Sequence, residues 1–279
     1  MPTKYMFHAA LNYAGTQQAL NGCHSDQAFW TAVAEKHYGF EKANIVVLKE
    51  PTKAQLKEGI IQTLQKAVSH DLVVLGYSGH GTIVPPGVQA WVPGDFNWDN
   101  PDTWLSYDEL DQLLTRYEAQ GVVVVLISDS CHSEADPRMN MRTMNPHPTK
   151  DRYLKPPPQI LRRIVSYPFE RNVVTSGQDD LMLAGCRRDQ TSADAWIDGG
   201  YCGAFTYAMG LALKENRNAS YQEATIKARA WLAAEGYDQV PGCKGAPAFA
   251  SLPFFGFPTV KDMEESRTVA DTNPALRLV

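Results

Sequence analysis

The chain has 279 residues, with 26 Lys and Arg against 31 Asp and Glu for a formal charge of −5. Its 44% hydrophobic and 20% charged residues are the balance of a folded globular protein, and a chain this long buries roughly 75% of its unfolded surface without staples. No apolar run approaches the ~20 residues that span a bilayer, and the acidic balance disfavours a dedicated nucleic-acid binder. The first residues lack a signal peptide's apolar core. Five cysteines (Cys23, Cys131, Cys186, Cys202 and Cys243) are odd in number and scattered, with no CxxC spacing. That argues against a disulfide framework or a structural zinc site, and for a cytoplasmic protein with a thiol free for chemistry.

In chain order, residues 4–13 alternate enough for a first strand. Asp26 precedes a helical run over 27–38, which Gly39 ends as a glycine just past a helix would. Residues 44–49 are a short β-branched strand. Thr52 opens an amphipathic segment with Leu56, Ile60, Ile61, Leu64, Ala67 and Val68 on one face. Residues 71–77 (DLVVLGY) form an apolar strand of the kind buried on both faces of a parallel sheet. A helix is predicted over 106–117, with Ser106 and Glu109 as its capping box and Leu110, Leu113 and Leu114 as its buried side. Residues 121–128 (GVVVVLIS) are the most hydrophobic strand, and 171–175 a short one. Helices are predicted over 203–214 and 220–235, the second with a Ser220 and Glu223 capping box, and an aromatic-rich strand over 248–255 precedes a polar, frayed tail. This alternation predicts an α/β layered domain with a mainly parallel sheet. Residues 137–164 stand apart, with six prolines and little periodic hydrophobicity, as a functional loop does.

In open α/β sheets, ligands sit outside the carboxyl ends of the strands. Here DLVVLGY runs into Ser78-Gly79-His80-Gly81, and GVVVVLIS into Asp129-Ser130-Cys131-His132-Ser133. If these strands are neighbours, His80 and Cys131 emerge at one edge. Such a pair makes a nucleophile: the thiolate attacks an acyl carbon while the imidazole holds and returns the proton. The backbone N–H of Gly81 is free to approach a developing oxyanion, with that of Cys131 as its partner. The bland alternative is two strand-end residues that only pack, Cys131 being a small inert hydrophobe. Gly76-Tyr77-Ser78-Gly79-His80 also approaches the G-x-S-x-G elbow of serine hydrolases, but His80 stands where the tight turn needs a small residue.

YSGHG after one buried strand and DSCHS after the next resemble the caspase-like fold, specifically metacaspases and bacterial orthocaspases. Residues 20–26 (LNGCHSD), 184–194 (AGCRRDQTSAD) and 203–206 (GAFT) extend the resemblance over most of the chain. It implies a three-layer caspase-like α/β fold, a mainly parallel central sheet with helices on both faces. One peptidase domain would cover 1–262, made of a large-subunit-like region (1–136), the basic proline-rich loop (137–164) and a small-subunit-like region (165–262), before a tail over 263–279. It implies a cysteine endopeptidase with His80 as general acid and base, Cys131 as nucleophile, and Gly81 and Cys131 as oxyanion donors. Asp26, Asp129 and Ser78 would line the pocket for the residue before the cut. Carboxylates there favour Arg or Lys, and bidentate pairing favours Arg; Asp26 fits a helix N-cap equally well.

Two departures stand out: Glu134 replaces the glycine usual after Cys-His-Ser, and the glutamine–alanine–cysteine motif of true caspases is absent. The chemistry requires no cofactor. Many metacaspases take Ca²⁺ as an activator, and Asp95, Asp108 and Asp136 match such positions, although solvated or helix-terminal charge explains them as well. The expected partners are protein or peptide substrates with Arg or Lys before the cut, and a regulatory protein, with no membrane or nucleic acid; the enzyme is expected to be a monomer. The 137–164 loop carries Arg138, Arg142, Lys150, Arg152, Lys155, Arg162 and Arg163 against Asp151 alone, for +6, leaving −11 on the remainder. It is expected to be a self-processing or gating linker that presents Arg or Lys to the chain's own pocket; the alternative is a solvated surface loop. The rival to the enzyme as a whole is a catalytically weak caspase-like scaffold that binds partners.

Overall fold

The computed structural model describes residues 2–131, 147–165, 180–187 and 190–257. The expected strand 171–175, the tail 263–279, Glu134, Asp136 and the opening of the basic loop lie outside the described residues. The chain runs β1 (Lys4–Ala10), α1 (Cys23–Tyr38), β2 (Ile45–Lys49), α2 (Lys53–Leu64) and β3 (Leu72–Ser78). Next come β4 (Gly81–Val84), β5 (Val88–Trp91), β6 (Leu105–Ser106), α3 (Tyr107–Glu118) and β7 (Val123–Asp129). Then follow β8 (Lys150–Asp151), α4 (Pro158–Val165), β9 (Asp180–Ala184), β10 (Ala193–Ile197), β11 (Gly200–Gly203), α5 (Ala204–Glu215), α6 (Tyr221–Ala234), β12 (Gly242–Gly245) and α7 (Pro247–Ala250).

The central sheet has the order β12-β9-β7-β3-β1-β2. All its neighbours are parallel except β12, which runs against β9. Two small sheets, β11-β10-β8 and β4-β5-β6, lie beside it. β3 and β7 are buried throughout, which is why they read as continuous apolar runs, yet the period of two still sorts their side chains. Met6, Val74, Val125 and Ile127 pack on one face with Trp30, Phe205, Met209 and Leu232 of α1, α5 and α6. Phe7, Val73, Leu75, Val124 and Leu126 pack on the other with Leu56, Ile60 and Leu64 of α2 and Leu110 and Leu114 of α3. Each such buried side chain contributes about 1.5–3 kcal/mol. The layers are those of the expected three-layer α/β fold.

Several local expectations shift. The first helix begins at Cys23, with Gly22 at the N-cap; Asp26 lies in its first turn, fully buried, so it is not the cap. Gly39 does end that helix, at φ 70°. Val68 falls beyond α2 and is 68% exposed. The Ser106 hydroxyl accepts from Glu109 N–H at 3.2 Å. The Glu109 carboxylate, however, pairs with Lys53 and Lys57 at 2.9 and 2.6 Å, so that capping box is half formed. The Ser220 and Glu223 box closes from both sides.

Residues 248–255 are not a strand. Pro247 opens the short α7 and a turn comes after it, so Phe249, Phe254 and Phe255 turn inward to pack with Trp30 and Tyr221; a proline at a helix start has no N–H to lose. The basic loop is also less featureless than its composition suggested. Ile160 and Ile164, four residues apart and both buried, give α4 an apolar side.

Candidate functional site

β3 and β7 are parallel neighbours with Ser78 level with Asp129, so Gly79-His80 and Ser130-Cys131 leave the sheet at the same edge. His80 Nε2 lies 2.7 Å from the Gln18 carbonyl; a carbonyl only accepts, so Nε2 carries the hydrogen. Nδ1 is then the basic nitrogen, and it is buried with no hydrogen-bond partner among the described residues. The Tyr13 ring packs against the imidazole at 4.8 Å between centroids, tilted by 34°, and its hydroxyl accepts the His80 backbone N–H at 3.0 Å. Burial lowers the His80 pKa to about 4 and pushes the Cys131 thiol well up. At neutral pH the two side chains are thus imidazole and thiol, not an ion pair. The Ser192 N–H points at the Cys131 sulfur.

Arg152, from the basic loop, is fully buried beside them. Its guanidinium Nη1 is 2.6 Å from Asp26 Oδ2 and 3.3 Å from Asp129 Oδ2, and Nη2 is 3.0 Å from Asp194 Oδ1. Each carboxylate is fixed by the fold. Asp26 Oδ1 accepts Gly203 N–H at 2.8 Å. Asp129 accepts the hydroxyls of Ser192 and Thr206 at 2.5 and 2.7 Å. Asp194 accepts the N–H groups of Asn21 and Gly22 at 2.8 and 2.9 Å. Three carboxylates facing one cation leave negative charge in a buried site; desolvation, helped by Asp129 and opposed by Arg152, pushes Asp26 up to about 7. Ser78, the third residue expected at the pocket, pairs instead with the His8 ring at 3.3 Å.

The backbone around Arg152 is equally engaged. Its carbonyl accepts from Gly81 N–H at 3.0 Å and from Cys131 N–H at 3.1 Å. Its own N–H donates to the Ser192 carbonyl at 3.0 Å, and β8 pairs antiparallel with β10. Beyond it, Leu154 N–H donates to the Gly81 carbonyl at 2.9 Å and Thr82 Oγ1 to the Leu154 carbonyl at 2.7 Å. Residues 150–154 thus run through a cleft, with one side chain in an acidic pocket and its carbonyl beneath two converging N–H groups. Donors so placed stabilise negative charge on that oxygen.

Sequence reasoning named His80, Cys131, Gly81, Asp26 and Asp129; the amides of Gly81 and Cys131 and the carboxylates of Asp26 and Asp129 meet on Arg152, and His80 precedes Gly81 at the same sheet edge. It gave no role to Asp194, the last residue of the 184–194 stretch that carries part of the resemblance, and it missed Gln18 and Tyr13, whose contacts with His80 cross long sequence separations. Asp95 and Asp108 do not join this site: Asp95 Oδ1 accepts Lys53 N–H at 2.8 Å, and Asp108 lies in the first turn of α3. Among the described residues no three acidic, His or Cys groups gather as metal donors.

A model of the caspase domain family matches residues 9–251. The chain belongs to that family. Within it, Metacaspase-1A of Aspergillus oryzae is 25% identical over 281 residues, covering 83% of this chain and 65% of the relative. Metacaspase-4 of Arabidopsis thaliana is 31% identical over 147 residues, covering 47% of this chain and 34% of the relative. The chain therefore spans less than two thirds of these relatives' length. Among solved structures, a protein of Geobacter sulfurreducens superposes with a TM-score of 0.66 at 24% identity, covering 92% of this chain and all of that one. Caspase-1 from Spodoptera frugiperda superposes with a TM-score of 0.55 at 15% identity, covering 88% of this chain and 86% of that one. These likenesses carry the caspase-like fold, whose mostly parallel sheet is the one described above.

Proposed function

We propose that this protein is a cysteine endopeptidase that cuts after Arg or Lys, and that its first substrate is its own Arg152–Tyr153 bond. One observation carries the reading: Arg152 fills the acidic pocket of Asp26, Asp129 and Asp194 while its carbonyl meets the N–H groups of Gly81 and Cys131. His80 Nδ1 takes the Cys131 proton as the sulfur attacks the carbonyl carbon. The two N–H groups hold the oxyanion. As the C–N bond breaks, the imidazolium returns its proton to the Tyr153 nitrogen, and water then releases the acyl group from the sulfur. Because thiol and imidazole are both neutral at rest, the thiolate forms on attack and does not wait as a standing ion pair.

Arg is favoured over Lys because two of its nitrogens reach different carboxylates, which a single ammonium does not reproduce. The test is cleavage of fluorogenic peptides ending in Arg, Lys or Asp, with and without Ca²⁺, by wild type and Cys131→Ala, together with intact masses of both chains. The expected result is turnover of Arg and Lys peptides by wild type alone, and fragments 1–152 and 153–279 that Cys131→Ala lacks. Turnover of Asp peptides, or activity left in Cys131→Ala, overturns the enzyme assignment. Identical intact chains in both proteins end the self-processing claim. No turnover of any peptide would leave the scaffold reading.

A further inference from the structure

Cys186 has no role in the chemistry above, yet its sulfur lies 3.5 Å from that of Cys131. The closeness comes from the backbone. β7 and β9 are parallel neighbours with Ser128 level with Ala184, and Gly185 N–H donates to the Ser128 carbonyl at 2.9 Å. Both strands then hand on a cysteine at the same edge. The two thiols are buried and not disulfide-bonded. Cys186, unlike Cys131, borders a small cavity that Tyr107, Ser130, Arg187 and Lys244 also line. That polar lining gives a small polar oxidant a way to the Cys186 sulfur.

We propose that hydrogen peroxide joins Cys186 to Cys131 as a reversible disulfide, which stores the nucleophile out of action. The Cys186 sulfur attacks one oxygen of hydrogen peroxide as its proton leaves; the O–O bond breaks, sulfur is oxidised to a sulfenic acid, and the departing hydroxide takes up that proton as water. The Cys131 sulfur then attacks the Cys186 sulfur. The S–S bond forms, the S–O bond breaks, and the departing hydroxide takes the Cys131 proton as a second water. In sum, two thiols and one peroxide give one disulfide and two waters. Closing 3.5 Å to the ~2.05 Å of a disulfide takes modest side-chain rotation. An external dithiol reverses the bond by exchange. Its formation rests on geometry alone; its effect on activity rests on Cys131 being the nucleophile, as proposed above.

The experiment treats purified wild type, Cys186→Ser and Cys186→Ala with hydrogen peroxide, then maps peptides without reduction and assays Arg-peptide cleavage before and after dithiothreitol. Wild type should yield a Cys131–Cys186 cross-linked peptide and lose about tenfold or more of its activity, regained on reduction. Where the chain has been cut at Arg152, its two fragments should migrate together until reduced. The Cys186 variants should start with unchanged activity and resist the same peroxide dose. Absence of the cross-linked peptide in wild type, or inactivation of the variants as fast as wild type, overturns the proposal. Should no peptide prove a substrate, the map still decides the disulfide, so its failure is separable from that of the peptidase reading.

Discussion

The backbone N–H of Gly81 donates to the Arg152 carbonyl at 3.0 Å, and the amide of Cys131 meets the same oxygen at 3.1 Å. A glycine after His80 and a cysteine after a buried strand, about fifty residues apart in sequence, thus grip one atom of a third segment. That segment belongs to the basic loop, so the acidic body and residues 150–154 of the loop, opposite charges in one total, are a bound pair.

Removing the cation should expose what it balances. In a Cys131→Ala background, Arg152→Gln leaves Asp26, Asp129 and Asp194 facing one another, and breaking a buried pair of this kind costs about 3–5 kcal/mol. Thermal denaturation at pH 8 should show the loss. Added arginine amide should recover some of it in Arg152→Gln and do nothing for the parent, because only the variant has room for a guanidinium. Equal melting of the two proteins would mean that Arg152 is not the cation holding these carboxylates together.

Asp26 makes stability depend on pH in a definite direction. Its folded pKa of about 7 lies above the ordinary value of 3.8, so between those values the folded state holds a proton that the unfolded state has lost. Stability therefore falls as pH rises through that window. Asp26→Asn removes the dependence. Measured in the Cys131→Ala background, the melting temperature of Asp26→Asn minus that of the parent should climb from pH 4 to pH 8; a flat or falling difference would contradict the raised pKa.

The pocket carboxylates should separate recognition from chemistry. Asp129→Ala and Asp194→Asn are each expected to lower kcat/KM for Arg peptides by about 100-fold or more, the loss of a buried charged hydrogen bond. Asp194→Asn should also narrow the preference for Arg over Lys, since Asp194 is the partner of Nη2 alone. Unchanged turnover in Asp129→Ala would remove it from the pocket.

Gly203 is where the pocket has no room to spare. A Cβ there would run into the Asp129 carboxylate and stand 2.8 Å from Arg152 Nη1. Gly203→Ala should destabilise by about 1–3 kcal/mol, the range for overpacking. Gly200→Ala, three residues earlier, meets nothing within 4 Å and should stay within about 0.5 kcal/mol of wild type.

The features of this site that were legible in sequence are those set by single strands: a run such as VVVVLIS declares its burial, and the residues just after it must sit at the sheet edge. Asp129 was legible for the same reason, as a charge at the end of a buried strand. Asp194 was not, because β10 is short and its carboxylate is justified only by Asn21, Gly22 and Arg152, all distant in the chain. The β4–β5 hairpin and β11 were missed because glycine-punctuated strands of four residues carry too little alternation to stand out. The 248–255 segment reads as a strand because aromatic residues suit strands and buried turns alike; Pro247 just before it and Pro253 within it are the signals against a paired strand.

The loop between β1 and α1 ties several of these elements together. Gln18 orients the imidazole, Ala19 receives the Lys150 ammonium, and the amides of Asn21 and Gly22 hold Asp194. In the peptidase proposed above, proton transfer and substrate grip would both be set by one short stretch of main chain. Enzymologically, substitutions along 13–22 should shift kcat and KM in concert, so this stretch offers no way to tune affinity without also tuning turnover.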